Sequence, residues 1–177
     1  GGLVLVLLFL FHGASFLALK TKDVMHDRAE AFAAKIGLVA IGGGAIYLIW
    51  ANVAYSIGLI GWVLAAVAAS ALIGSWLAVR AERDGWAFAL TCVTIVAVAV
   101  WIFIRMWPNL GFDNSAVPDH PLDRVTAAST PLTLTIMTWA AVVFVPIVLA
   151  YQAWTVWVFR KRISTKNIPD EVVHATA

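Results

Sequence analysis

The stretch that opens Ile36-Gly37-Leu38-Val39-Ala40 and closes Leu77-Ala78-Val79 holds no charged residue over 44 positions. A membrane-spanning helix needs about 20 predominantly apolar residues at a rise of about 1.5 Å each. The run is therefore long enough for two spans. Its natural break is Asn52-Val53-Ala54-Tyr55-Ser56, where polar and turn-capable residues cluster.

Three further uncharged runs flank it, at 1–19, 85–104 and 125–159. Together they predict five spanning helices, at about 3–19, 32–51, 57–79, 85–107 and 131–159. The fold class is an all-α, polytopic transmembrane bundle. The last helix is longer than a bilayer core, so it is expected to tilt or to project beyond it. Composition agrees. Apolar residues make up 62% and charged ones 12%, against about 45–50% and about 25% in soluble domains. Mean hydropathy is +0.90. A disordered chain would need low hydrophobicity and high charge. The one cysteine, Cys92, cannot form an internal disulfide or a multi-cysteine metal site. A net charge of +2 carries no nucleic-acid signal.

Charge placement orients the bundle. Lys20, Lys22, Arg28 and Lys35 surround the first connection. Arg80 and Arg83 follow the third helix, and Arg160, Lys161, Arg162 and Lys166 lie in the tail at 160–177. Those ten of the twelve basic residues fall on one side of an alternating topology; only Arg105 and Arg124 fall on the other. The positive-inside rule then puts the C-terminus in the cytoplasm and the first residue outside. Residues 1–19 lack the basic leader of a signal peptide, and the chain is expected to be part of a larger protein.

Few residues could carry chemistry. His12 is the one histidine inside a predicted span, and an intramembrane ionisable group is a candidate proton relay, quinone contact or haem ligand. The preferred reading is a neutral imidazole bonded across helices, with Gly13 and Ala14 allowing close approach. No second histidine stands one turn away to complete a ligand pair. Asp113, Asp119, His120 and Asp123 are oxygen and nitrogen donors in the long outer loop at 108–130, but their spacing fits a solvated acidic loop better than a cation site. Gly42-Gly43-Gly44 lies inside a helix, so it reads as close packing, or a kink that admits a lipid or ligand tail, rather than a phosphate loop. Gly58, Gly61 and Gly74 take the same packing reading. Pro146 should kink the last helix, Met137 reads as core rather than an iron ligand, and Thr130-Pro131 reads as a helix start. Trp50, Trp62, Trp76, Trp86, Trp107, Trp154 and Trp157 lie towards helix ends, as an interfacial aromatic belt requires. No residue is assigned a catalytic or metal-binding role.

Two segments resemble subunit II of cytochrome bd quinol oxidase. One is Gly13-Ala14-Ser15-Phe16-Leu17-Ala18-Leu19-Lys20-Thr21. The more specific one runs Leu132-Thr133-Leu134-Thr135-Ile136-Met137-Thr138-Trp139, Val145-Pro146-Ile147-Val148-Leu149, Tyr151-Gln152-Ala153-Trp154 and Phe159-Arg160-Lys161-Arg162-Ile163. The outer loop departs from the family pattern, with Val125-Thr126-Ala127-Ala128-Ser129 where many members carry Trp-Asp-Ala-Ser-Ser. The resemblance implies the C-terminal part of a haem-free, stabilising subunit of a bacterial plasma-membrane complex. That complex oxidises quinol and reduces oxygen to water. Haem b and haem d would belong to the partner, subunit I, and further contacts would come from the N-terminal part of subunit II, small single-helix subunits, lipid and quinone. The alternative is a fragment of a membrane transporter, with Gly42–Gly44 and Pro146 marking broken helices.

With Cys92 replaced, single cysteines introduced at 20–30, 80–84 and 160–177 should react with impermeant reagents only from the cytoplasmic side. Labelling of the tail from outside would contradict the charge argument.

Overall fold

The computed structural model describes residues 1–55, 58–107, 125, 127–158 and 160–161. Five helices form among the described residues: α1 (Gly2–Lys20), α2 (Asp23–Ala54), α3 (Leu59–Arg80), α4 (Asp84–Met106) and α5 (Pro131–Val158). No strand occurs among the described residues. All five are long and apolar enough to cross a bilayer, with mean hydropathies of 1.8 to 2.6 over their most apolar windows. The chain divides into a unit holding α1 to α4, through Arg105, and a second unit, Met106–Lys161, holding α5.

The helix bounds correct the sequence reading in two places. The expected connection at 20–30 is nearly all helix, because α2 begins at Asp23 rather than near 32. Charge marks where a chain leaves hydrocarbon, not where a helix must stop. At 32 residues, α2 is about 48 Å long, well beyond a core of about 30 Å. Its charged first turns suit a helix: Asp23 opens it, His26 and Glu30 stand one turn apart, and Ala29 and Ala33 are already buried. The expected break at Asn52 is also displaced. Asn52 donates from Nδ2 to the Leu48 carbonyl at 2.9 Å and continues the helix to Ala54. The turn falls to Gly58, whose φ of 71° and ψ of −150° suit a residue without a Cβ. Gly58 is thus a turn residue, and a Cβ there would meet nothing within 4 Å.

The core of the first unit is built from small side chains. Twelve of its seventeen buried apolar residues are alanines, while Leu3, Leu59, Ile60, Trp86 and Phe103 point outward. Small residues inside and large ones outside let helices approach closely where lipid, not water, is the solvent. The tightest approach joins three helices. A Cβ on Gly37 of α2 would lie 2.8 Å from Phe11 Cε2 of α1 and 2.9 Å from Trp76 Cδ1 of α3. Phe11 is fully buried, and Trp76 Nε1 donates to the Ala34 carbonyl of α2 at 2.9 Å. Gly74 supports the packing reading against α4, since its Cβ would stand 3.3 Å from Leu90.

The α3–α4 turn closes by paired backbone bonds, Glu82 N to Val79 O at 3.1 Å and Arg83 N to Ala78 O at 2.9 Å. This is the Schellman arrangement, and it holds Glu82 at a left-handed φ of 55° where glycine is usual. In the second unit α5 starts at Pro131, with the Leu134 amide donating to the Thr130 carbonyl. The Thr130 hydroxyl meets that of Thr133 at 2.9 Å. Pro146 sits inside α5, which continues on both sides of it.

Gly37→Ala should lower the thermal stability of the detergent-solubilised protein by about 1–3 kcal/mol, through overpacking. Glu82→Gly should raise it by about 1 kcal/mol by relieving the left-handed residue. A neutral Gly37→Ala would contradict the three-helix contact.

Candidate functional site

Polar side chains in a span need partners, because hydrocarbon supplies none. In the first unit they find them at helix contacts. His12 lies on α1, about 15 Å from its start and so near mid-span. Its Nδ1 is 2.7 Å from the Thr91 hydroxyl of α4. That hydroxyl donates its one proton to the Phe88 carbonyl at 2.7 Å. Nδ1 is therefore the protonated nitrogen and donates to Thr91, which leaves Nε2 as an acceptor. Phe88 also stacks on the imidazole, with centroids 4.8 Å apart and planes 25° from parallel. The sequence reading asked for a polar group on another helix, and Thr91 stands there.

Other buried polar groups bond across helices or back to their own, and Asn52 Oδ1 stays without a partner among the described residues. Ser75 of α3, fully buried, donates to the Ala87 carbonyl of α4 at 2.7 Å. Ser15 and Thr94 return their protons to their own helices, at Phe11 and Leu90. Trp76 was expected among the interfacial anchors. It is instead an internal tie between α3 and α2, with Arg80 over its ring at 5.6 Å.

Two residues escaped the sequence reading. His26 joins three helices at one end of the unit. Its Nδ1 donates to the Ala18 carbonyl of α1 at 2.9 Å, the Glu30 carboxylate of α2 is 3.8 Å from Nε2, and the Asp84 carboxylate of α4 is 3.9 Å from Nδ1. The spacing of His26 and Glu30 was a visible signal, masked by reading the segment as loop. Arg105 is the second. It is only 9% exposed at the far end of α4, with its guanidinium 5.3 Å from the Trp101 ring and 5.6 Å from that of Tyr55.

Ligand-type residues do not converge. No group of three His, Cys, Asp or Glu able to hold a metal occurs among the described residues. Met137 lies on α5, in the second unit, and Asp113, Asp119, His120 and Asp123 lie outside the described residues. An apolar cavity of about 90 Å³ lies between α1, α2, α3 and α4. Gly44 and Leu72 are on its wall, and Tyr47 is the one lining side chain with a polar atom. Of the triple glycine, Gly44 thus borders space that an apolar chain could enter, while a Cβ on Gly43 would lie 3.6 Å from Leu7. No His, Met or Cys side chain lines the cavity; Tyr47 is its one side chain of a kind that can ligate iron.

Trp76→Phe should keep the ring packing on Gly37 and lose the bond to Ala34, at a cost of about 1 kcal/mol in thermal stability. Loss of redox activity with stability unchanged would contradict the structural assignment.

A family model described as cytochrome bd terminal oxidase subunit II matches residues 1–159. The chain is 31% identical over 174 residues to cytochrome bd ubiquinol oxidase subunit 2 of Bacillus subtilis (strain 168), covering 94% of this chain and 50% of that protein. It is 33% identical over 107 residues to cytochrome bd-I ubiquinol oxidase subunit 2 of Escherichia coli (strain K12), covering 60% and 28%. A probable cytochrome oxidase subunit 2 of Haemophilus influenzae is 26% identical over 186 residues, covering 87% and 49%. The chain thus spans half or less of the length of these curated relatives.

Proposed function

The chain belongs to the family of subunit II of cytochrome bd terminal oxidases, and on that premise we propose that it is a haem-free, stabilising part of a quinol:oxygen oxidoreductase. The complex would oxidise quinol and reduce oxygen to water, with haem b and haem d held by subunit I. Family membership displaces the transporter alternative. The observation that carries the reading is how the buried polar groups are used. His12, Ser75 and Trp76 each spend a proton on a neighbouring helix, and the described residues assemble no metal-binding group. Groups held this way position helices.

The chain would sit in the bacterial plasma membrane with its C-terminus in the cytoplasm. The basic residues Lys20, Arg80 and Arg160 support this orientation. Each ends an odd-numbered helix or follows it closely, and each lies over an aromatic ring one turn back: Phe16 at 5.9 Å, Trp76 at 5.6 Å and Trp157 at 4.6 Å. The exposed Phe16 and Trp157 rings suit an interface where the ring meets lipid and the cation meets water, while Arg80 caps the internal Trp76. Subunit I, the rest of subunit II and small single-helix subunits would cover its faces, with lipid and quinone at the remainder.

A visible absorption spectrum tests the proposal. Bands of haem b and haem d should co-purify with a tagged copy of this subunit, and a colourless preparation would refute it. His12→Gln should keep assembly and turnover near normal, since an amide also donates and accepts. His12→Leu should lower assembled yield more than turnover per haem. Intact assembly with abolished turnover in His12→Gln would replace the structural role with a relay or quinone contact.

A further inference from the structure

We infer that the groove between α1 and α2 at the charged end of the first unit binds an anionic phospholipid, with an acyl chain in the groove and the headgroup phosphate on Arg28. The inference needs only that these helices cross a bilayer, and it is independent of the haem-free, stabilising role. The floor of the groove is made of small residues, Gly13, Ala14 and Ala29. A Cβ on Gly13 would meet nothing within 4 Å, so the α1–α2 packing leaves that space open. The walls are large and apolar, with Phe9 and Leu17 from α1 and Phe32 from α2, all three exposed. From Leu17 to Phe9 the groove follows α1 for about 12 Å. A trough of this shape takes an extended hydrocarbon chain, which gains dispersion contacts along both walls.

Charge selects the headgroup. Arg28 is the one charged side chain in the lining. It lies in the second turn of α2, close to the Lys20–Asp23 end, and one turn before Phe32 on the same face. It is exposed, and among the described residues it makes no hydrogen bond or ion pair. The carboxylates of Glu30 and Asp84 lie against His26 instead. An arginine of this kind rests its stem on apolar surface and holds its guanidinium at the interface, where a phosphate accepts from it. A phospholipid carries its anion where its chain leaves hydrocarbon, so tail and phosphate match trough and cation in the same order. No carboxylate lines the groove to pair with a choline or ethanolamine group, so a net negative headgroup fits better than a zwitterionic one. A covering protein helix would have to bring its own carboxylate to Arg28 at that depth.

The test uses the assembled complex, purified and reconstituted in vesicles of phosphatidylglycerol and phosphatidylcholine in equal parts. A photoreactive benzoylphenylalanine replacing Phe32 reports the occupant through the mass of its adduct. Phosphatidylglycerol adducts should exceed phosphatidylcholine adducts by about fivefold, the preference that one arginine near a membrane surface confers. Arg28→Gln should bring that ratio close to one, and Arg28→Lys should keep most of it. Gly13→Leu should suppress both adducts by filling the floor of the groove. Adducts on a protein helix would overturn the inference. So would lipid adducts in proportion to vesicle composition, or a preference that survives Arg28→Gln. Haem content and oxygen consumption are read separately on the same preparation. A colourless preparation would count against the oxidase reading and leave the lipid measurement intact.

Discussion

A polar group inside hydrocarbon has no water to turn to, and the arrangement of this chain follows from that constraint. Backbone groups meet it through five helices. Side chains meet it at helix contacts or by bonding back to their own helix. Thr91 takes the His12 proton, Ala87 takes that of Ser75, Ala34 that of Trp76, and Leu48 that of Asn52. The helices that exchange these bonds must approach closely, which is why alanine dominates the buried positions and why Gly37 can carry no side chain between Phe11 and Trp76.

The same constraint shapes the interior of the first unit. The apolar cavity bordered by Gly44 and Leu72 has Tyr47 as its one lining side chain with a polar atom, and His12 lies outside that lining, with Nδ1 on Thr91 and its face on Phe88. The family to which the chain belongs is one of respiratory oxidases.

Much of this was legible in the sequence because hydrophobic run length is a strong signal. Five spans were expected and five formed, with the start of α5 at Pro131 as Thr130-Pro131 suggested. What was not legible depended on tertiary partners. Asn52 looked like a breaker until Leu48 accepted its proton, and the charged segment from Asp23 looked like a loop although its alanines are buried. For the candidate site, composition singled out His12, but Thr91 is distant in sequence and marked by nothing except its hydroxyl. Arg105 was read only as a basic residue on the outer side and His26 was not singled out, whereas His26 ties three helix ends and Arg105 sits among aromatic rings.

The central claim is that the intramembrane polar residues hold helices together and take no part in electron or proton transfer. A double-mutant cycle over His12 and Thr91 in the assembled oxidase measures it most directly, using His12→Phe and Thr91→Val, alone and together. Thermal stability and oxygen consumption per haem would be read on each variant. The account predicts a coupling of about 0.5–3 kcal/mol in stability, the range for residues in direct contact, with oxygen consumption per haem the same in all four proteins. Coupling that shows only in oxygen consumption, with additive stabilities, would contradict it.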